Sequence, residues 1–242
     1  MRLDDNLLSY LRGEQFSNGL SVAYSFDERD FVLRSRIEWL RDFCTGKKVV
    51  HVGCLDHDID MVKHKRKRGK WLHGELQASA ARVLGVDINA QGIAQLEQEL
   101  GVKGLLAADL LSDACEPIFS DRWNVFLLAE VLEHIGDPVA FLTAMRTRFA
   151  GVVDEFVITV PNAFAREVRT AAVQGKEVIN SDHRFWFTPY TLAKVCIDAG
   201  LTPSEIVLCK NGVIKRRSVL KNWRARRLPL LRNGIILRAG VS

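Results

Sequence analysis

Gly53, Asp87 and Glu130 each stand at or just beyond the end of an apolar run, and each is a residue type that can act on a ligand. The runs are VVHVGC (49–54), RVLGVDIN (82–89) and WNVFLLAEVLEH (123–134). Short apolar runs of this kind predict buried parallel strands, and open α/β sheets take their ligands at the carboxyl ends of such strands. A glycine turn lets the backbone approach a ligand closely, and an ionised carboxylate accepts hydroxyl hydrogen bonds of the stronger, charge-assisted kind. Together the three positions predict a nucleotide-like cofactor lying over residues 53, 87 and 130. Glu133 and His134 follow Glu130 on the next turn. Such a cluster suits a metal, but without a clear acid triad none is expected.

The elements that must position these residues follow from periodicity and punctuation. A helix over 27–44 leads into strand 48–53, a loop-like stretch follows, and a helix over 71–82 delivers the chain to strand 83–87. Further helices are predicted at 90–100, at 137–149 after the Asp137-Pro138 cap, and at 189–199 between Thr188 and Gly200. Strands are predicted at 105–109, 123–129, 155–160, 204–209 and 234–240. Alternating strand and helix specifies an α/β, doubly wound sheet. Gly53 and Asp87 lie 34 residues apart, against roughly 20 in a compact nucleotide unit. The surplus holds six Lys/Arg between 63 and 70, read as a solvated loop or as a phosphate-binding one.

At 242 residues and 48% apolar, the chain fits one domain: a cap over 1–45, a core over 46–209, an insertion over 210–233 and a last strand over 234–242. The cap, with Leu7, Leu8, Leu11, Phe16, Tyr24 and Phe26, is placed to close over a substrate. MRLDDNLLSYLRGEQF lacks the apolar core of a signal peptide, and no apolar run reaches the roughly 18 residues of a membrane span, so a cytoplasmic protein is expected. Cys44, Cys54, Cys115, Cys196 and Cys209 are scattered and odd in number, which indicates reduced thiols. Residues 1–205 hold 24 basic against 29 acidic residues, a formal −5, while ten basic and no acidic residues follow Glu205. A basic tail on an acidic body argues against a protein built throughout for nucleic acid.

The turn G53-C54-L55-D56-H57-D58 lacks the second and third glycines of the dinucleotide fingerprint, and no G-x-x-x-x-G-K-[ST] P-loop occurs. The ordered set VVHVGC, GVDIN, LLAADL, AEVLEHIGDP, VPN (160–162) and HRFWFTPYTLAKVCIDAGL (183–201) instead resembles the class I S-adenosylmethionine-dependent methyltransferases. The likeness is to the group of ubiquinone-pathway O-methyltransferases and the methyltransferases of bacterial glycan gene clusters. It covers about residues 47–209 and accommodates the final strand. It implies a mostly parallel, seven-stranded Rossmann-like sheet with an antiparallel last strand, an amino-terminal helical cap and a basic helical insertion before the last strand. It also implies S-adenosylmethionine as cofactor, with Gly53 and Cys54 against the methionine part. Asp87 would bind the ribose hydroxyls, Ile88 would border the cofactor, Asp109 with Leu110 would flank the adenine, and Glu130 would face cofactor or acceptor. His51, Leu55 and His57 depart from that pattern, and the two side chains at 55 and 57 take room from the cofactor. A non-catalytic binding module is the alternative this departure raises.

Methyl transfer to a hydroxyl needs an in-line approach and a base. His183 is the leading candidate for that base, a packing histidine being the other reading, and Glu130 is the second catalytic candidate. Neither [DNS]-P-P-[YFW] after the fourth strand nor a Pro-Cys nucleophile is present, which favours hydroxyl over nucleobase methylation. The resemblance points to a sugar hydroxyl of a cell-surface polysaccharide or its lipid- or nucleotide-linked precursor as acceptor. Residues 211–232 place Val219, Leu220 and Trp223 at helical spacing among Lys215, Arg216, Arg217, Lys221, Arg224, Arg226 and Arg227. That is the pattern of a basic amphipathic helix contacting an anionic membrane at its inner face. RNA, as substrate of an RNA-directed methyltransferase, and a plain surface helix are the competing readings.

Overall fold

The computed structural model describes residues 5–13, 21, 23, 28–56, 58–212, 214 and 217–241. Its sheet has seven strands: β1 (Lys48–Val52), β2 (Arg82–Asp87), β3 (Leu105–Ala107), β4 (Trp123–Ala129), β5 (Val153–Pro161), β6 (Leu201–Cys209) and β7 (Gly234–Val241). They are ordered β3-β2-β1-β4-β5-β7-β6. Every pairing is parallel except those of β7, which runs antiparallel to β5 and β6. The chain winds outward from β1 to β3 and then returns to β4 beside β1. The crevice outside the carboxyl ends of β1 and β4 is therefore the topological switch point.

Alternate residues of the strands enter two layers, as the pleat dictates. Val50, Val52, Phe126, Leu128, Phe156 and Ile158 pack beneath α7 (Pro138–Arg148) and α9 (Pro189–Asp198). Val49, Val125, Leu127 and Val157 meet the opposite layer, where α2 (Arg36–Cys44) and α4 (Leu72–Ser79) supply Leu40 and Leu76. Asp137 caps α7 by accepting from Ala140 N at 2.9 Å, and Thr188 and Thr191 form a capping box on α9. The remaining helices are α1 (Asp5–Leu11), α3 (Ile59–Arg66), α5 (Ala90–Leu100), α6 (Glu116–Phe119), α8 (Arg166–Val173) and α10 (Val219–Arg227). Among the described residues, no helix is long and apolar enough to cross a membrane.

Several boundaries differ from expectation for identifiable reasons. The helix expected from residue 27 starts at Arg36, because Arg34 O and Lys210 O hold Lys210 N and Arg36 N at 2.9 and 2.8 Å and keep Ser35 extended. Between β1 and α4 the stretch read as loop contains α3, begun by Asp58 accepting from Met61 N at 2.8 Å. Its bases are engaged: Lys63 pairs with Glu99 and Lys65 with Asp56, while Arg66 donates to Leu100 O. Strand β6 begins at Leu201, three residues early. Pro203 is accommodated because β6 is an edge strand with a register shift between Pro203 and Glu205.

The described part of the amino-terminal segment does not close over a substrate site. Leu11 is fully buried and its carbonyl accepts from Lys194 Nζ of α9. Leu8 and Arg12 border Leu201–Pro203 at the amino end of β6, opposite the switch point. Phe16, Tyr24 and Phe26 lie outside the described residues.

Leu55 occupies a position where similar turns carry glycine. It is 3% exposed and packs with Ile93 and Leu96 beneath α5, pointing away from the crevice. Gly92 of α5 makes the room: a Cβ there would collide with Leu55 Cδ2 and lie 3.0 Å from Cδ1. The expected loss of cofactor space therefore does not occur at residue 55, and His57 lies outside the described residues. Gly92→Ala should lower stability by about 1–3 kcal/mol despite alanine's better helix propensity, because overpacking outweighs propensity here. Urea unfolding measures it.

Candidate active site

Two adjoining cavities open at the carboxyl ends of β1, β2 and β4. Gly53, Asp87, Glu130 and His134 border both. The larger, about 780 Å³, is lined by Val52, Ile88, Ala108, Leu110, Val131 and Ile135 among others, with Asp109 at its side. Ile88 is 75% exposed into solvent, an apolar side chain held ready for a planar apolar partner. The smaller, about 440 Å³, is polar and is lined by Arg36, His51, Cys54, Glu133, Asn180, Asp182 and His183 among others. All seven residues expected at the cofactor, and both expected in catalysis, thus border these two spaces.

The turn after β1 is built for close approach. Gly53 has φ +76°, donates to Val86 O at 2.9 Å, and would carry a Cβ 2.9 Å from Val131 Cγ2. Only glycine fits both demands. Asp87 Oδ2 accepts from Leu55 N at 3.2 Å and Oδ1 from Asn89 N at 3.0 Å, so the carboxylate is fixed at the crevice. Each oxygen keeps a lone pair for a further donor. Asp109 Oδ1 accepts from Leu111 N at 2.9 Å, which folds the loop after β3 around the apolar cavity. A fixed acid beside an apolar slot fits a nucleoside, with hydroxyls on the acid and the base in the slot. Cys54 is fully buried, its thiol pushed up by burial, and its carbonyl accepts from Trp71 Nε1 at 3.1 Å.

Glu130 adopts φ +56°, a conformation an L-residue holds only when its surroundings insist. Its N–H donates to Thr159 O at 3.0 Å, and its carboxylate accepts from Thr159 Oγ1 at 3.0 Å and from Asn211 Nδ2 at 3.4 Å. Arg36 closes the ion pair at 3.4 Å. Arg36 was not anticipated from sequence: it stands on the first residue of α2, a boundary set by the contact with Lys210, where the expected helix over 27–44 put it mid-helix.

Glu133, His134 and His183 form the chemical centre of the polar cavity. Their ligand atoms lie within 4.8 Å of one another. Glu133 is 1% exposed and neither carboxylate oxygen has a hydrogen-bond partner among the described residues. Burial, then Glu130, pushes its carboxyl up to about 8. His134 Nδ1 lies 3.1 Å from Asp182 O, so the neutral ring donates from Nδ1 and keeps its Nε2 lone pair. The edge of one ring meets the face of the other between His134 and His183, centroids 4.8 Å apart. His183 is lowered by burial and then by His134, and its Nδ1 is buried without a partner among the described residues. Arg184 N donates to Glu133 O at 2.8 Å and Arg184 Nε to His134 O at 3.1 Å, which locks the segment after β5 onto the turn after β4.

Beneath this floor lies a pair that sequence reading passed over. His51 on β1 and His73 on α4 are 2% and 0% exposed, stack at 5.4 Å and face each other Nδ1 to Nδ1 at 3.1 Å.

The chain is 26% identical over 177 residues to the ubiquinone biosynthesis O-methyltransferase of Aeromonas salmonicida, covering 69% of this chain and 68% of that protein. No family profile matches. Among solved structures, a candidate methyltransferase of Bacillus halodurans C-125 superposes with a TM-score of 0.53 at 12% identity, over 85% of this chain and 98% of that one. The small RNA methyltransferase HEN1 gives 0.54 at 16%, over 85% of this chain and 24% of that one. Those two structures share the fold. Strand order, the switch-point crevice and the similarity spread over two thirds of both sequences agree: the chain has the fold of the class I methyltransferases and is similar in sequence to an O-methyltransferase.

Proposed function

We propose that the chain methylates a sugar hydroxyl in a cell-surface polysaccharide or its lipid- or nucleotide-linked precursor. The observation that carries the hydroxyl reading is the cluster of Glu133, His134 and His183 at the polar cavity, in which both Glu133 carboxyl oxygens and His183 Nδ1 are buried without a partner among the described residues. A hydroxyl placed there meets two imidazoles and a carboxyl group at once. The bound cofactor supplies an electrophilic methyl group on a sulfonium. The chain's own residues do the rest: Asp87 receives the ribose hydroxyls, Ile88, Leu110 and Ile135 enclose the adenine, and Asp109 frames it. Gly53 and Cys54 bring backbone to the methionine part. His183 takes the hydroxyl proton as the oxygen takes up the methyl group, and Glu130, tied to Arg36, holds the floor of the acceptor site.

A second reading is favoured by the same orphaned atoms. Glu133, His134 and His183 supply one carboxylate and two imidazoles, a donor set suited to a divalent cation, which would lower the acceptor hydroxyl's pKa in place of a base.

The cofactor half is tested by calorimetric titration with S-adenosylmethionine and S-adenosylhomocysteine. Micromolar-range binding is expected, weakened in Asp87→Ala by about 1 kcal/mol or more, the cost of a lost charge-assisted hydrogen bond. Unchanged affinity in that variant removes Asp87 from the ribose. The acceptor half is tested by turnover on saccharide acceptors, with and without chelation. An RNA acceptor would announce itself by a steep loss of affinity with salt.

A further inference from the structure

We infer that α10 docks this protein on an anionic lipid surface, with the catalytic cavities opening along the same edge of the sheet. The docking stands on α10 itself; that the surface carries the acceptor, in lipid-linked form, rests on the sugar-hydroxyl reading.

None of the nine residues of α10 is buried. Only Asn222 and Ala225 are half-covered, and Ala225 O accepts from Arg232 Nε at 2.8 Å, so the helix is tethered by that side. The opposite side presents Val219, Leu220 and Trp223 at 72%, 61% and 53% exposure, with Leu228 just beyond at 50%. Lys221, Arg224, Arg226 and Arg227 are interleaved with them, and the Arg227 guanidinium lies 5.6 Å from the Trp223 ring. A folded protein gains nothing from a helix that shows its apolar side chains to water. The arrangement suits an interface in which acyl boundary receives the apolar groups and headgroups receive the cations. Charge complementarity selects the surface: no acidic residue follows Glu205, so nothing on this insertion repels an anionic lipid. Lipid is preferred to RNA because Val219, Leu220 and Leu228 offer no stacking face, and single-stranded nucleic acid is held by stacking platforms that one tryptophan does not provide.

The placement gives the docking a direction. The insertion leaves β6 at Cys209 and rejoins β7 at Gly234, which pair with each other, and Gly234 also pairs with Pro161 at the end of β5. Asn162 Nδ2 donates to Leu230 O and Arg232 O at 2.8 and 2.7 Å, and Asn211 Nδ2 donates to Glu130. The insertion is therefore rooted at the strand ends where the polar cavity opens.

The test is flotation of the full chain with phosphatidylcholine vesicles with and without phosphatidylglycerol. Recovery with the anionic vesicles alone, lost at high salt, is expected. The pairs Leu220→Ser with Trp223→Ser, and Arg224→Glu with Arg227→Glu, should each reduce partitioning by about tenfold or more while circular dichroism and S-adenosylmethionine binding stay as in wild type. Absence of flotation at low salt, flotation indifferent to both pairs, or binding to a single-stranded RNA without binding to vesicles overturns the proposal. Glu133→Gln should float as wild type. A protein that floats by α10 yet methylates no saccharide keeps the docking and removes the acceptor reading.

Discussion

Glu133→Gln is expected to reduce turnover by about 100-fold or more while leaving S-adenosylmethionine affinity within about twofold. The substitution keeps the shape of a side chain that is 1% exposed and removes only its capacity to hold a charge. Glu133 borders the polar cavity and not the apolar one, so the cofactor's nucleoside should not register the change. The acceptor should, whether Glu133 steadies a hydroxyl beside His183 or anchors a cation with His134 and His183. A second readout separates a functional role from a structural one. With its carboxyl raised to about 8 and no partner at either oxygen among the described residues, Glu133 must take up a proton to fold at pH 7, a cost glutamine does not carry, so its removal should raise urea stability by about 1–3 kcal/mol. More stable and inactive is the expected combination; an active variant would sink the assignment. Adding manganese or zinc to chelated protein discriminates the two readings. The cation reading expects activity and thermal midpoint to rise together in wild type and in neither His183→Ala nor Glu133→Gln.

The second large effect lies beneath the site. In the neutral pair one of His51 and His73 donates its Nδ1–H to the bare Nδ1 of the other, across 3.1 Å. A further proton sets two N–H donors head to head between buried rings. Burial lowers both rings. His73 falls to about 4, and His51 is lowered further by His73 and by Arg36. The folded state therefore binds fewer protons than the unfolded one. The pair's contribution is complete above the ordinary histidine value of 6.5 and is lost as pH falls toward 4. For His73 alone the loss is about 3 kcal/mol. Urea unfolding of wild type and His73→Phe across pH 7 to pH 4 measures it. The difference between the two curves isolates the pair from the carboxylates, and parallel curves would show that it carries no pH dependence.

Most of the sheet was legible because its strands are short apolar runs closed by turn residues, and β4 and α5 fall on their expected bounds. Legibility failed where tertiary contact overrides local pattern. Ser35 is extended because Lys210, far along the chain, holds its neighbours, and Pro203 sits in a strand because that strand is an edge. α3 was hidden because its run of bases carries little apolar periodicity and its stability comes from a cap and from partners on α5 and the preceding turn. At the site, acids and glycine at strand ends were readable since their position alone implies exposure to the crevice. Arg36, Thr159 and Asn211 were not, since each reaches Glu130 from a different element. The pairing of His51 with His73 needed the packing of α4 on that face of the sheet.

The exchange of bulk between Leu55 and Gly92 has a thermodynamic side. Glycine-rich nucleotide turns are loose until a ligand organises them, and their binding free energy is reduced by the entropy of that ordering. Here a buried leucine pins the turn from below, and the Asp87 carboxylate fastens its backbone from the side. The cradle is preorganised before any cofactor arrives. A turn held in this way has less conformational freedom to surrender when a ligand binds.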